Sequence, residues 1–236
     1  MHLTHRRRSG SILLALLLLA WSGSARAGML GMPVPRQQPW HFRFELAGDS
    51  FRELLSDDSE ASTGRALVSV AVGLTSWSEV YGRIGLAEFN LDEALFSGDF
   101  GLAYGGGIRL RLFPLPFGTV GAAGQYLRFT STDDNSAGAK VDGEWEEFDF
   151  AVGLGTRRFG VFEFYGGGAY HHSDITLKTV NTGLRRSLET DIPVRLFVGV
   201  HLYPLVDDPA GKLVVAVEAR FVGEIPQFTL GVQYAF

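Results

Sequence analysis

The chain contains no cysteine, so it can form no disulfide, carry no lipid on a cysteine behind a leader, and offer no thiolate to a metal. Lysine is nearly absent as well: Lys140, Lys178 and Lys212 are the only three in 236 residues. Beyond the first 27 residues there is no long apolar run, and a transmembrane helix needs roughly 20 residues. A chain of this kind can enter a membrane only as a closed barrel, because lipid satisfies no open strand edge. The glycine runs lack the Lys and Ser/Thr of a phosphate loop, which argues against nucleotide binding. Outside the first 27 residues the only histidines are His41, His171, His172 and His201, with no i, i+4 pair. They assemble no zinc set, and no metal or other cofactor is expected.

What is present begins with a leader. Arg6, Arg7 and Arg8 precede an apolar run from Ile12 to Trp21, and Ala25-Arg26-Ala27 supplies an A-x-A cleavage pattern. The run is too short to anchor a helix in a bilayer. Residues 1–27 are therefore expected to be a cleavable signal peptide, with export and a mature start near Gly28. Removing Arg6, Arg7, Arg8 and Arg26 lowers Lys+Arg from 21 to 17 against 26 acids, a net charge of −9. That balance disfavours nucleic acid as a partner.

The remainder suits one all-β domain over residues 40–236, after an extended, Pro-rich periplasmic lead-in at 28–39 that holds Pro33, Pro35 and Pro39. Glycine is abundant, at 30 residues, as is Phe at 18. Segments with a period of two recur. Trp40, Phe42, Phe44 and Leu46 alternate with His41, Arg43 and Glu45, and Phe148, Phe150, Val152 and Leu154 oppose Glu147 and Asp149. The last such segment sets Phe228, Leu230, Val232, Tyr234 and Phe236 against Thr229, Gly231 and Gln233. About ten strands are expected, near 40–46, 64–75, 78–90, 99–112, 117–130, 144–158, 160–174, 188–204, 211–223 and 226–236. The short connection at Gly223 to Pro226 and the longer one at 205–210 keep a count of eight open.

A soluble sandwich alternates in the same way, with its apolar side inward. Two features favour a transmembrane barrel. Connections near 75–78, 113–117 and 158–160 are short, whereas those near 49–63, 131–143 and 175–187 are long and polar, as in outer-membrane barrels. The three lysines also sit in loops or at strand ends, while arginines near strand centres fall on the polar face. A charge facing lipid at mid-depth costs about 2 to 4 kcal/mol. Arg128 breaks the pattern and fits only at a membrane rim or with a bulge.

These residues resemble the small outer-membrane β-barrel superfamily of Gram-negative bacteria, the OmpA, OmpX and opacity-protein type. The resemblance covers residues 40–236 and is carried by the leader, by Gly-aromatic strands such as Phe100 to Leu110, and by the terminal Phe236. It implies a closed antiparallel up-and-down barrel in the bacterial outer membrane, surrounded by outer-membrane lipid and lipopolysaccharide. It also implies that Phe228, Tyr234 and Phe236 form the signal read by the barrel-assembly machinery, with periplasmic chaperones as partners during biogenesis.

The charges expected to point inward are Arg43, Arg83, Arg109, Arg111, Arg195 and Arg220 against Glu45, Glu79, Glu147, Asp149, Glu163 and Glu218. The tally balances. A barrel of 8 to 10 strands is just wide enough to be filled by side chains, and paired Arg and carboxylate groups satisfy one another there. A mostly plugged polar lumen is therefore expected, with a structural or surface-interaction role through acidic outer loops and no enzymatic activity. Those loops hold Asp49, Glu53, Asp57, Asp58 and Glu60, then Asp92 and Glu93, then Asp133, Asp134 and Asp142. They serve solubility, or bind divalent cations shared with lipopolysaccharide.

The alternatives are a small porin-like channel lined by the same charges and a membrane hydrolase. For the latter, His171-His172-Ser173-Asp174 is similar to the His-x-Ser pattern of barrel lipid A deacylases, with Glu189 as an orienting carboxylate. A His-Asp pair with Asp133 and Asp134 is similar to the omptin proteases.

Overall fold

The computed structural model of the protein describes residues 31–36, 38–92, 96–134, 140–204, 213–222 and 225–236. The expected leader, the start at Gly28, Glu93, Lys212, Gly223 and the connection at 205–210 lie outside the described residues. Among the described residues every regular element is a strand: β1 (Phe42–Leu54), β2 (Glu60–Thr75), β3 (Ser78–Leu91), β4 (Phe96–Ser97), β5 (Gly101–Leu115), β6 (Gly118–Asp134), β7 (Lys140–Thr156), β8 (Phe162–Thr179), β9 (Arg185–Glu189), β10 (Val194–Leu202), β11 (Leu213–Val222) and β12 (Ile225–Ala235). Ten of them form the wall in the order β1-β2-β3-β5-β6-β7-β8-β10-β11-β12, each antiparallel to its neighbours. β12 then returns to β1 with Arg43 opposite Ala235 and Asp49 opposite Thr229, which closes the barrel. The wall thus takes the larger of the two strand counts. We call the end near Trp40 and Phe236, where the short turns lie, the lower end.

The strand period decides the faces. Along lower β1, Phe42, Phe44 and Leu46 are exposed while Arg43, Glu45, Ala47 and Asp49 are buried. β3 repeats this with Ile84 and Leu86 outside and Glu79 and Arg83 inside, and β7 with Phe148 and Phe150 outside and Glu147 and Asp149 inside. The interior is polar and the surface apolar.

Higher up, the chemistry of the two faces exchanges while the alternation continues. On β1, the outward residues become Ser50 and Arg52, and Phe51 turns into the lumen. On β6 and β7, Leu127, Phe129 and Trp145 point inward, whereas Arg128, Glu144 and Glu146 face out. Together with Leu55, Phe89, Leu91, Phe96, Ile175, Leu177 and Leu188 they form one buried apolar core. Trp145 is its centre, stacked on Phe129 at 5.5 Å and edge-on to Phe51 at 5.8 Å and Phe89 at 5.6 Å. This upper tier is enclosed by fewer strands. β9 pairs with β8 where β10 has ended, and it reaches β1 through Ser56 N–H donating to Glu189 O and Asp191 N–H donating to Leu54 O. β4 lies against β3 and is tied to β6 by Ser97 N–H donating to Asp133 Oδ2 at 3.1 Å. The narrower ring is one that side chains can fill completely.

Three expectations change here. The segments 49–63, 131–143 and 175–187 are largely strand, not loop: β1 runs to Leu54, the β6–β7 ladder continues to Asp134 opposite Lys140, and β8 runs to Thr179. Many of their polar residues, Arg52, Glu60, Asp142 and Lys178 among them, lie on the outer face around a buried apolar core, which gives a loop-like composition to a regular ladder. Arg128 lies in an unbroken β6–β7 register opposite Glu146, so it marks a rim and not a bulge. Finally, the Pro-rich lead-in does not stay outside the barrel. Gly31 to Arg36 runs inside the lower lumen, where Met32 and Val34 are buried with Tyr165 and Phe197.

Candidate functional site: a lumen filled in three layers

The middle layer is charged. Glu79 accepts hydrogen bonds from Arg43 Nη2 at 2.6 Å and Arg109 Nη1 at 2.7 Å, because β1, β3 and β5 deliver all three to the same level. Arg65 on β2 forks Asp49, with Nε at 2.7 Å, and reaches Glu147 on β7 with Nη1 at 2.7 Å. Such paired geometry is what makes burial of these charges tolerable. Gln125 links the two sides, accepting from Arg83 and Tyr81 and donating to Asp149 at 2.6 Å. Glu218 accepts from Arg220 Nε and from the Tyr165 hydroxyl, both at 3.1 Å. Aromatic faces assist: Arg109 lies 4.4 Å from the Tyr81 ring and Arg65 4.6 Å from Phe51.

Of the twelve residues expected in this network, eleven line the lumen. Arg111 does not belong to it. It lies at the lower mouth, beside the register shift that precedes Phe113, and is exposed. Glu163, half-buried, belongs to the lower mouth with Arg36. Sequence reasoning missed Arg65, named His171 only as a candidate for catalysis and not as a member of the charged layer, and assigned Asp49 and Glu53 to an outer loop. Both carboxylates are buried on β1. Their odd numbering, in step with Arg43 and Glu45, was the signal that places them inside.

His171 and Ser173 do come together, since residues two apart share a strand face. The His171 Nδ1 stands 2.7 Å from Asp149 Oδ1 and Nε2 stands 3.3 Å from Glu53 Oε1. Ser173 Oγ donates to Glu53 at 3.0 Å and also meets Thr190 Oγ1 at 2.8 Å. Neither contact joins the hydroxyl to the imidazole, as a nucleophile and base would require. Glu189 lies on the opposite, exposed face. Asp133 pairs with Val141, eight residues along β7 from Asp149, far from the histidine. His172 faces outward beside Asp174 at 3.4 Å. His171 and Ser173 are 1% and 0% exposed. Among the described residues the buried layer holds six arginines and seven carboxylates, and the His171 imidazole stands between two of those carboxylates.

The third layer is the inner strap, Gly31 to Arg36. Arg36 donates to Gln233 Oε1 at 3.3 Å and to the Tyr203 hydroxyl, stands 3.2 Å from His201 Nδ1, and forms an ion pair with Glu163 at 3.5 Å. Tyr203 in turn donates to Glu163. Apolar core, charged layer and strap together span the lumen from top to bottom. Among the described residues, no group of three or more His, Asp or Glu is arranged to hold a metal ion.

No family model and no curated protein sequence matches the chain. Among solved structures it is similar to the translocator domain of the autotransporter NalP from Neisseria meningitidis, with a TM-score of 0.45 and 12% identity over 96% of each chain. It is similar to the outer membrane protease OmpT from Escherichia coli at a TM-score of 0.40 and 11% identity, covering 84% of this chain and 94% of that one. The CymD monoaromatic hydrocarbon channel matches at 0.31 and 11%, over 85% of this chain and 88% of the other. At these values the likenesses carry nothing about chemistry.

Proposed function

We propose that the protein is an integral β-barrel of the bacterial outer membrane, exported behind a cleaved leader, that conducts no solute and acts through its upper tier as a structural or surface-interaction element. The membrane assignment is supported by the outer face. Among the described residues, the outward positions from Phe42 to Gly48, Ala66 to Leu74, Val80 to Leu86, Phe148 to Leu154 and Phe228 to Tyr234 carry no charge. A continuous apolar surface of this size is intolerable in water and natural in lipid. Tyr104, Tyr126 and Tyr170 stand near its upper edge and Trp40, Trp77, Phe117 and Phe159 near its lower edge, where aromatic girdles meet the interfaces. Just above, Arg128 pairs with Glu144 and Glu146, and Arg52 with Glu60, as suits headgroup and water.

The absence of conduction rests on one observation, the lumen closed at three successive levels. The absence of catalysis is supported by Ser173 being hydrogen-bonded to carboxylate and hydroxyl groups away from bulk solvent. Outer-membrane lipid and lipopolysaccharide would surround the belt. The exposed Phe228, Tyr234 and Phe236, on the strand that closes the barrel, would serve the assembly machinery. The test is planar-bilayer recording of the purified protein. No steady openings are expected, and reproducible single-channel steps would overturn the proposal.

A further inference from the structure

We infer that the lower lumen is a peptide-binding site for an extended, proline-containing segment ending in arginine, occupied in cis by Gly31–Arg36. The strap is held as a ligand is held, by side chains of the wall and not by strand pairing. Its amides at Gly31 and Arg36 donate to side-chain carboxylates, Glu218 Oε2 at 2.9 Å and Glu79 Oε2 at 3.3 Å. Pro33 and Pro35 have no N–H to satisfy, and they pre-set an extended backbone, so little chain entropy is lost on binding.

The wall is shaped for this occupant. Gly121 and Gly153 sit on β6 and β7 where the strap passes. A Cβ on Gly121 would stand 2.6 Å from Pro33 O, 2.9 Å from Val34 Cγ2 and 2.9 Å from Leu110 O of the wall, and one on Gly153 would stand 2.6 Å from Gly166 O of the wall and 3.0 Å from Pro33 Cγ. On Gly155 it would overlap the methyl of Met32. Glycine inside a strand here marks close approach of another backbone. Tyr165 and Phe197 supply the apolar side for Met32 and Val34. The arginine has its own socket of Glu163, Tyr203, His201 and Gln233, drawn from β8, the end of β10, and β12. Bidentate and charge-assisted contacts of that kind discriminate arginine from other residues. The site therefore selects apolar, proline-spaced residues followed by Arg, and would accept such a peptide in trans.

The test uses the full chain with a protease recognition sequence inserted between Gln37 and Gln38, folded in detergent and then cut. The excised segment is expected to remain with the barrel through gel filtration, and to exchange with excess isotope-labelled peptide Gly-Met-Pro-Val-Pro-Arg, followed by intact-mass spectrometry. A labelled peptide with Arg36→Ala should compete about ten-fold less well or worse. In the same cut protein, Gly121→Ala should speed loss of the segment, because its Cβ meets backbone. Gly155→Ala should not, because only the flexible end of Met32 must move. Loss of the wild-type segment on the first passage, no incorporation of labelled peptide, or equal competition by the alanine peptide would each refute the site. None of these would bear on conduction, because the apolar core and the charged layer are built from residues of the barrel itself.

Discussion

Replacement of Trp145 by alanine tests whether the upper tier is a packed core or merely a rim of loops. The side chain is fully buried and touches Phe51, Phe89 and Phe129. Truncating a buried Trp costs about 3–5 kcal/mol through lost transfer energy and the cavity left behind. The aromatic contacts add to that, at about 0.5–1.5 kcal/mol for a pair. One feature works in the other direction: Trp145 Nε1 has no hydrogen-bond partner among the described residues. A buried donor without a partner costs about 1–3 kcal/mol. Trp145→Phe keeps most of the ring and discards that donor, so it should lose less than about 1.5 kcal/mol. Phe148→Ala, three residues along on the outward face, leaves no internal cavity and should cost less than Trp145→Ala. Urea unfolding in detergent micelles, read by tryptophan fluorescence and by the mobility difference between unboiled and boiled samples, gives all three values. The reasoning fails if Trp145→Ala lies within about 1 kcal/mol of the wild type or if Phe148→Ala is the worse of the two.

Three further outcomes are expected. Glu79→Gln leaves Arg43 and Arg109 buried around a neutral amide and should destabilise by about 3–5 kcal/mol in the same assay. Phe150→Arg places a cation on the lipid face and should cost about 2–4 kcal/mol if Phe150 lies near the bilayer midplane, whereas a soluble protein would tolerate it; refolding yield into vesicles measures this. Hydrogen bonds from Ser59, aided by Arg186, hold the Asp57 carboxyl below its ordinary value. The stabilisation is present above about pH 4, the unfolded value, and is lost as pH falls through the lower folded one. The protection factor of the Ser59 amide, its exchange rate relative to the intrinsic rate at the same pH, should therefore fall on acidification, and Asp57→Asn should remove that pH dependence.

The alternation of Phe42, Phe44 and Leu46 with Arg43 and Glu45 was enough to give strands, their approximate number, and the list of charges sharing one face, because side-chain direction in a strand depends only on parity. Parity does not say which face is inside at a given height. Phe51 and Trp145 have the same parity as Glu45 and Glu147, yet they fill a dry core while the glutamates fill a charged layer, and ring closure across β9 and β4 decides that difference. Likewise Pro33 and Pro35 announced an extended segment, but its place against Gly121 and Gly153 depends on strands more than eighty residues away. Arg111 was misplaced because its parity is right and its height is wrong: it stands at the lower mouth, beside a register shift, where its side chain is exposed. Local pattern follows from the backbone's two-residue repeat, whereas height, closure and lumen contents come from contacts between distant segments, which no short window of sequence contains.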